Sequence, residues 1–80
     1  MYEVKMPQWG MDMTEGTVVK WLKQTGERVE KDEPLAEIET AKSVNTLEAP
    51  VAGTIKQLVA SEEDTVPVQG LLALIEPEVH

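Results

Sequence analysis

Lys42 is the only cation between Lys31 and Lys56, and its neighbours Glu37, Glu39, Thr40, Ser43, Asn45 and Glu48 are acidic or polar. A lysine becomes a nucleophile when an apolar pocket strips water from its amine. No such pocket is suggested around position 42. The amine reads as a handle for another enzyme to modify, weighed against the commoner case of a plain solvated charge. Other groups with chemical capacity are weaker candidates. Glu62-Glu63-Asp64 has the carboxylates of a metal site, but a solvated acidic loop is the commoner outcome. Asp12 and Glu15 pose as paired carboxylates and fit a polar loop better. Trp9 and Trp21 offer aromatic faces, whose usual role is packing. Cysteine is absent, so disulfide and thiolate chemistry are excluded. The single histidine is His80, the last residue, where fraying is the default.

The elements that position Lys42 come from a repeat. Sliding the chain by 37 residues sets Gly16-Thr17-Val18 against Gly53-Thr54-Ile55, Trp21 against Leu58 and Val29 against Val66. The same offset pairs Leu35-Ala36 with Leu72-Ala73 and Ile38-Glu39 with Ile75-Glu76, with no gap across about 24 positions. Two copies are too few for a solenoid, so they form one core from two similar halves. Short Val- and Thr-rich runs between Gly and Pro breaks read as strands. Residues 54–63 also carry helical spacing, but their repeat mates do not, and equivalent halves share a conformation. The expected strands are Tyr2–Met6, Gly16–Leu22, a piece near Arg28–Val29, Leu35–Thr40, Ser43–Ala49, Gly53–Val59, a piece near Val66, and Leu71–Ile75. Leu35 and Ile38 fall on opposite faces of an ideal strand, which requires a bulge or burial on both sides. Ala41-Lys42 is left as a two-residue hairpin connection at the junction of the halves. It lacks the Asn-Gly type of pair that favours a type I′ turn.

Eighty residues make one small domain. A net charge of −8 and a pI near 4.4 repel phosphate backbones and anionic lipid, so neither nucleic acid nor membrane is expected as a partner. Basic protein surfaces are. No apolar run approaches the roughly 18 residues of a membrane span, and Met-Tyr-Glu-Val-Lys lacks the apolar stretch of a signal peptide. Bacterial cytoplasm or an organelle matrix is the expected location.

Met6-Pro7-Gln8-Trp9-Gly10, Met13-Thr14-Glu15-Gly16, Trp21-Leu22-Lys23 with Gly26-Glu27 and Val29, and above all Ile38-Glu39-Thr40-Ala41-Lys42 with Glu48-Ala49-Pro50 and Gly53, resemble lipoyl domains. The resemblance covers residues 1–76, with 77–80 expected to begin a linker or tail. It implies an all-β flattened barrel or sandwich of two four-stranded antiparallel sheets with pseudo-two-fold symmetry. It further implies lipoate in amide linkage to Lys42 at a hairpin tip, with Glu39 and Gly26 recognised by the lipoylating enzyme. Such a domain is a non-catalytic swinging-arm carrier, part of a dihydrolipoamide acyltransferase of a 2-oxo acid or acetoin dehydrogenase complex. Its implied partners are the lipoylating enzyme, a thiamine-diphosphate-dependent decarboxylase, the acyltransferase core and dihydrolipoamide dehydrogenase; the isolated domain is expected to be monomeric. The Pro-Gln-Trp-Gly opening and Asn45 are similar to acetoin dehydrogenase acyltransferases. Ala41 and Ser43 depart from the family's Asp and Ala, which bears on recognition by partner enzymes. A biotinyl carrier, whose lysine is typically flanked by methionines, and an unmodified interaction module are the alternatives.

Overall fold

The computed structural model describes residues 1–78, and all of their regular structure is strand. The order is β1 (Tyr2–Lys5), β2 (Glu15–Trp21), β3 (Arg28–Val29), β4 (Pro34–Glu39), β5 (Val44–Glu48), β6 (Gly53–Leu58), β7 (Thr65–Pro67) and β8 (Leu71–Pro77). They form two antiparallel four-stranded sheets, β1-β8-β6-β3 and β5-β4-β2-β7. The expected flattened all-β sandwich is therefore observed, with β6 a strand, as the repeat required against the helical spacing of residues 54–63. Pro77 still pairs with Gly53 at the end of β8, inside the expected tail. The expectation of a fraying His80 lies outside the described residues.

The repeat is visible in the backbone, not only in the side chains. Operating the 37-residue offset exchanges β2 with β6, β3 with β7 and β4 with β8. The halves interleave: β3 pairs with β6 of the second half, and β7 pairs with β2 of the first. Neither half closes a core alone. The left-handed residues are mates as well, Gly26 (φ 93°) with Glu63 (φ 75°) and Asp32 (φ 70°) with Gln69 (φ 74°). Gly26 N–H donates to the Ile55 carbonyl at 2.7 Å, and Glu63 N–H donates to that of Val18 at 2.6 Å. Even the turn carboxylates correspond, since Glu27 accepts from Gln24 N–H as Asp64 accepts from Ser61 N–H.

Bulges resolve the misfit of Leu35 and Ile38. The β4–β5 register runs from Pro34↔Glu48 to Ala36↔Leu47, leaving Leu35 as the extra residue. Leu72 is extra in β8 against β1, at the mate position. Val19 in β2 and Lys56 in β6 form a second matched pair. One extra residue lets neighbours Leu35 and Ala36 both face inward. Leu35, Ile38, Leu72 and Ile75 are each at most 1% exposed, so the four aliphatic residues expected as core are core. Burying each contributes about 1.5–3 kcal/mol.

Gly16 and Gly53 also share an environment. A Cβ at Gly16 would stand 2.7 Å from Ile38 Cγ2, and one at Gly53 would stand 2.8 Å from Ile75 Cγ2 and 2.2 Å from the Glu76 carbonyl oxygen. The absence of a side chain is what lets the sheets close at these points. On the surface, Lys23 pairs with Glu33 at 2.7 Å. This bond raises the Lys23 pKa above its ordinary value; with the Glu30 N–H it holds the Glu33 carboxyl below its own.

Candidate functional site

β4 and β5 carry Lys42 between them. Their last paired residues are Glu39 and Val44, so the connection is residues 40–43, one residue longer on each side than expected. The cause is Thr40. Its N–H donates to the Ser43 carbonyl at 2.8 Å, its hydroxyl donates to the same carbonyl at 3.0 Å, and Ser43 N–H donates back to that hydroxyl at 3.3 Å. A hydroxyl that satisfies local backbone groups replaces the ladder there. Ala41 and Lys42 remain the tip, and neither has positive φ, so the turn is not a primed type.

The Lys42 side chain is 77% exposed, and its Nζ donates to Asp12 Oδ2 at 3.0 Å. Asp12 belongs to the loop joining β1 to β2, which folds on itself. Gln8 Nε2 donates to the carbonyls of Met11 (3.2 Å) and Met13 (3.0 Å), while Met13 N–H donates to that of Gly10 (3.1 Å). The Trp9 N–H lies 3.4 Å from Met13 Sδ. Loop and turn enclose an open cleft of about 650 Å³ whose lining includes Trp9, Asp12, Met13, Glu39, Thr40 and Lys42.

Lys42 and Glu39 thus come together; Gly26 does not join them. Gly26 binds Ile55, whose register partner Ile75 pairs with Tyr2. Tyr2 is the end of β1 remote from Lys5, and it is from the Lys5 side that the Asp12 loop departs. Gly26 therefore sits toward the chain ends, away from the turn, and its φ of 93° is the local reason for a glycine. Glu62 Oε2 accepts from Trp21 N–H at 3.0 Å, so the acidic run serves the backbone; no metal-holding cluster occurs among the described residues. Asp12 pairs with Lys42. Trp21 is buried, with its Nε1–H donating to the Ala60 carbonyl at 2.8 Å, whereas Trp9 is 40% exposed and lines the cleft.

Sequence reasoning missed the Asp12 loop as part of the site. Met6 N–H donates to the Gly70 carbonyl as Ala49 N–H donates to that of Glu33, which makes Met6 and Ala49 mates. Ten positions separate Met6 from Gly16, but four separate Ala49 from Gly53. The first half carries six extra residues, and they lie beside Lys42.

Chemically, this is an exposed primary amine at a hairpin tip, paired with the Asp12 carboxylate beside an open cleft. Such an amine is open to acylation by another enzyme. The profile of the biotin- and lipoyl-attachment family, described as "Biotin-requiring enzyme", matches residues 2–75. The lipoyl domain of the 2-oxoglutarate dehydrogenase complex from Azotobacter vinelandii shares the fold with a TM-score of 0.77. Its sequence is 35% identical, and the match covers 98% of this chain and 100% of that one. This chain belongs to the lipoyl-domain family.

Two curated relatives of this lipoyl domain carry the similarity at sequence level. It is 47% identical over 74 residues to the dihydrolipoyllysine-residue acetyltransferase component of the pyruvate dehydrogenase complex of Corynebacterium glutamicum, covering 92% of this chain and 11% of that protein. It is 40% identical over 75 residues to the corresponding component of the acetoin cleaving system of Pseudomonas putida, covering 94% of this chain and 20% of that protein. The lipoyl domain spans between a tenth and a fifth of these relatives. It is a small carrier module without catalysis of its own.

Proposed function

We propose that Lys42 is the lipoyl attachment site and that the lipoylated domain shuttles acyl groups and reducing equivalents between the active sites of a 2-oxo acid or acetoin dehydrogenase complex. The observation that carries this reading is the placement of Lys42 at the tip of the β4–β5 hairpin, 77% exposed and tied only to an exposed aspartate. An amide there costs no buried contact and leaves the attached group outside the fold. When bound, lipoate supplies the reversible disulfide and acyl-carrying chemistry that a cysteine-free chain lacks. The protein's own contribution is the stiff hairpin, which keeps the arm's anchor fixed and its end at high effective concentration near successive sites. Glu39, on the cleft beside Lys42, is proposed as a contact for the lipoylating enzyme, and Gly26 as a contributor through the turn it closes. The further partners are the thiamine-diphosphate-dependent decarboxylase, acyltransferase core and dihydrolipoamide dehydrogenase of the parent complex, in bacterial cytoplasm or an organelle matrix. Peptide mapping after expression in a lipoylating host tests the assignment. Lipoate is expected on Lys42 alone and absent from a Lys42→Arg variant. Lipoate on Lys31 or Lys56, or on the Arg variant, defeats it.

A further inference from the structure

We propose that the cleft between the β1–β2 loop and the Lys42 turn is a resting dock for the dithiolane-ended acyl arm, with Trp9 and Met13 as its apolar wall. The inference rests on Lys42 being the attachment site, and four observations carry it. First, the Lys42 side chain already lies over the loop, because Nζ reaches Asp12 Oδ2 at 3.0 Å. An acyl chain extended from that nitrogen starts at the cleft. Second, the wall is built. Gln8 ties the loop to itself through the carbonyls of Met11 and Met13, and Met13 packs against the core while still lining the cleft. Third, the wall presents the right chemistry. Trp9 exposes 40% of its surface beside Met13, and an aromatic face with a thioether suits methylenes and a disulfide sulfur. Fourth, the loop is asymmetric. The six extra residues occur only in the half whose connection meets the lysine turn; the equivalent connection from Ala49 to Gly53 takes four steps.

Charge agrees with this occupant. Amide formation removes the Lys42 ammonium and with it the ion pair to Asp12. The arm that replaces it is neutral, so the acidic rim of Asp12, Glu15 and Glu39 does not repel it. Asp12, Thr40 and Asn45 leave polar groups near the linkage, while the apolar end reaches Trp9. The cleft is open, so the arm rests and leaves instead of being captured. A carrier that must visit several enzymes requires that weakness.

The test compares three forms of the domain by NMR: unmodified, acetylated at Lys42, and lipoylated at Lys42. Acetylation removes the charge without adding an arm. The Trp9 indole and Met13 methyl signals are expected to be nearly the same in the unmodified and acetylated forms and to shift in the lipoylated one. Nuclear Overhauser contacts from the dithiolane protons to Trp9 and Met13 are expected as well. Trp9→Ala, which removes no core residue, is expected to keep the dispersed spectrum of the fold and to weaken the dithiolane contacts to Met13 at least several-fold. Lipoylated and acetylated spectra that coincide at Trp9 and Met13, or Met13 contacts undiminished in Trp9→Ala, overturn the dock. Peptide mapping separates the two readings. Lipoate at Lys42 without Trp9 contacts overturns the dock alone, and lipoate at another lysine overturns both.

Discussion

Two connections occupy equivalent places in the two halves, and they differ in length. From Met6 to Gly16 the chain takes ten steps through a self-bonded loop that reaches Lys42; from Ala49 to Gly53 it takes four. Around them the halves agree in bulges, left-handed turns and buried residues. The symmetric part makes the core, and the asymmetric part makes the site. The Lys42 turn shows the same contrast. Its symmetry mate is the gap between β8 and β1, where Ile75 pairs with Tyr2 and no chain crosses. Duplication therefore supplies a rigid body, and a single local insertion distinguishes one end of it.

If that division holds, matched changes in the symmetric part have matched effects. Ile38→Ala and Ile75→Ala are each expected to cost about 2–5 kcal/mol, and to differ from each other by about 1 kcal/mol or less. Thermal and urea unfolding of both variants measure this. An unchanged midpoint for either would show that the repeat does not define the core.

A smaller effect sharpens the comparison at the paired turns. Gly26 and Glu63 hold the same left-handed conformation, which an L side chain adopts at a cost. Gly26→Ala is expected to lower stability by about 1 kcal/mol. Glu63→Gly is expected to change it by less, in the stabilising direction, since relieved strain offsets the added freedom of the unfolded chain. Opposite signs in urea unfolding are the signature to look for.

The smallest effect is electrostatic. The Glu33 pKa lies below its ordinary value, so its contribution is present above the ordinary carboxylate range and is lost as pH falls through the folded-state value. The Lys23 pKa lies above its own, so its contribution is complete below the ordinary lysine value and is lost as pH rises through the folded-state value. Glu33→Gln is thus expected to flatten the acid limb of a stability–pH curve slightly, and Lys23→Met the alkaline limb. The pair is surface-exposed, so both effects stay below those of the core variants.

Most of the frame was legible in the sequence because Gly-Thr, Leu-Ala and Ile-Glu recur at positions where geometry leaves little choice. The bulges were half legible. Leu35 and Ile38 announced a misfit, but only the register shows that Leu35 is the extra residue. Glu63 and Gln69 were invisible as left-handed positions because neither is glycine. The turn was read one residue too tight at each side because the Thr40 hydroxyl takes over backbone bonds that strand propensity assigns to a ladder. The Asp12–Lys42 contact spans thirty residues, and no local pattern marks it. Its trace is a change of offset, 37 for Gly16 with Gly53 but 43 for Met6-Pro7 with Ala49-Pro50.

The central claim is that the hairpin presents Lys42, and that accessibility alone does not select it. Moving the lysine one residue, to Ala41 or Ser43 with position 42 made Ala, keeps its charge at an exposed position while redirecting the side chain. The initial rate of lipoylation of the three folded domains by one lipoylating enzyme measures the claim, because catalysis depends on the amine being held in attack geometry. Rapid modification of the native arrangement is expected, with little or none of either shifted variant. Comparable rates for a shifted lysine would contradict it.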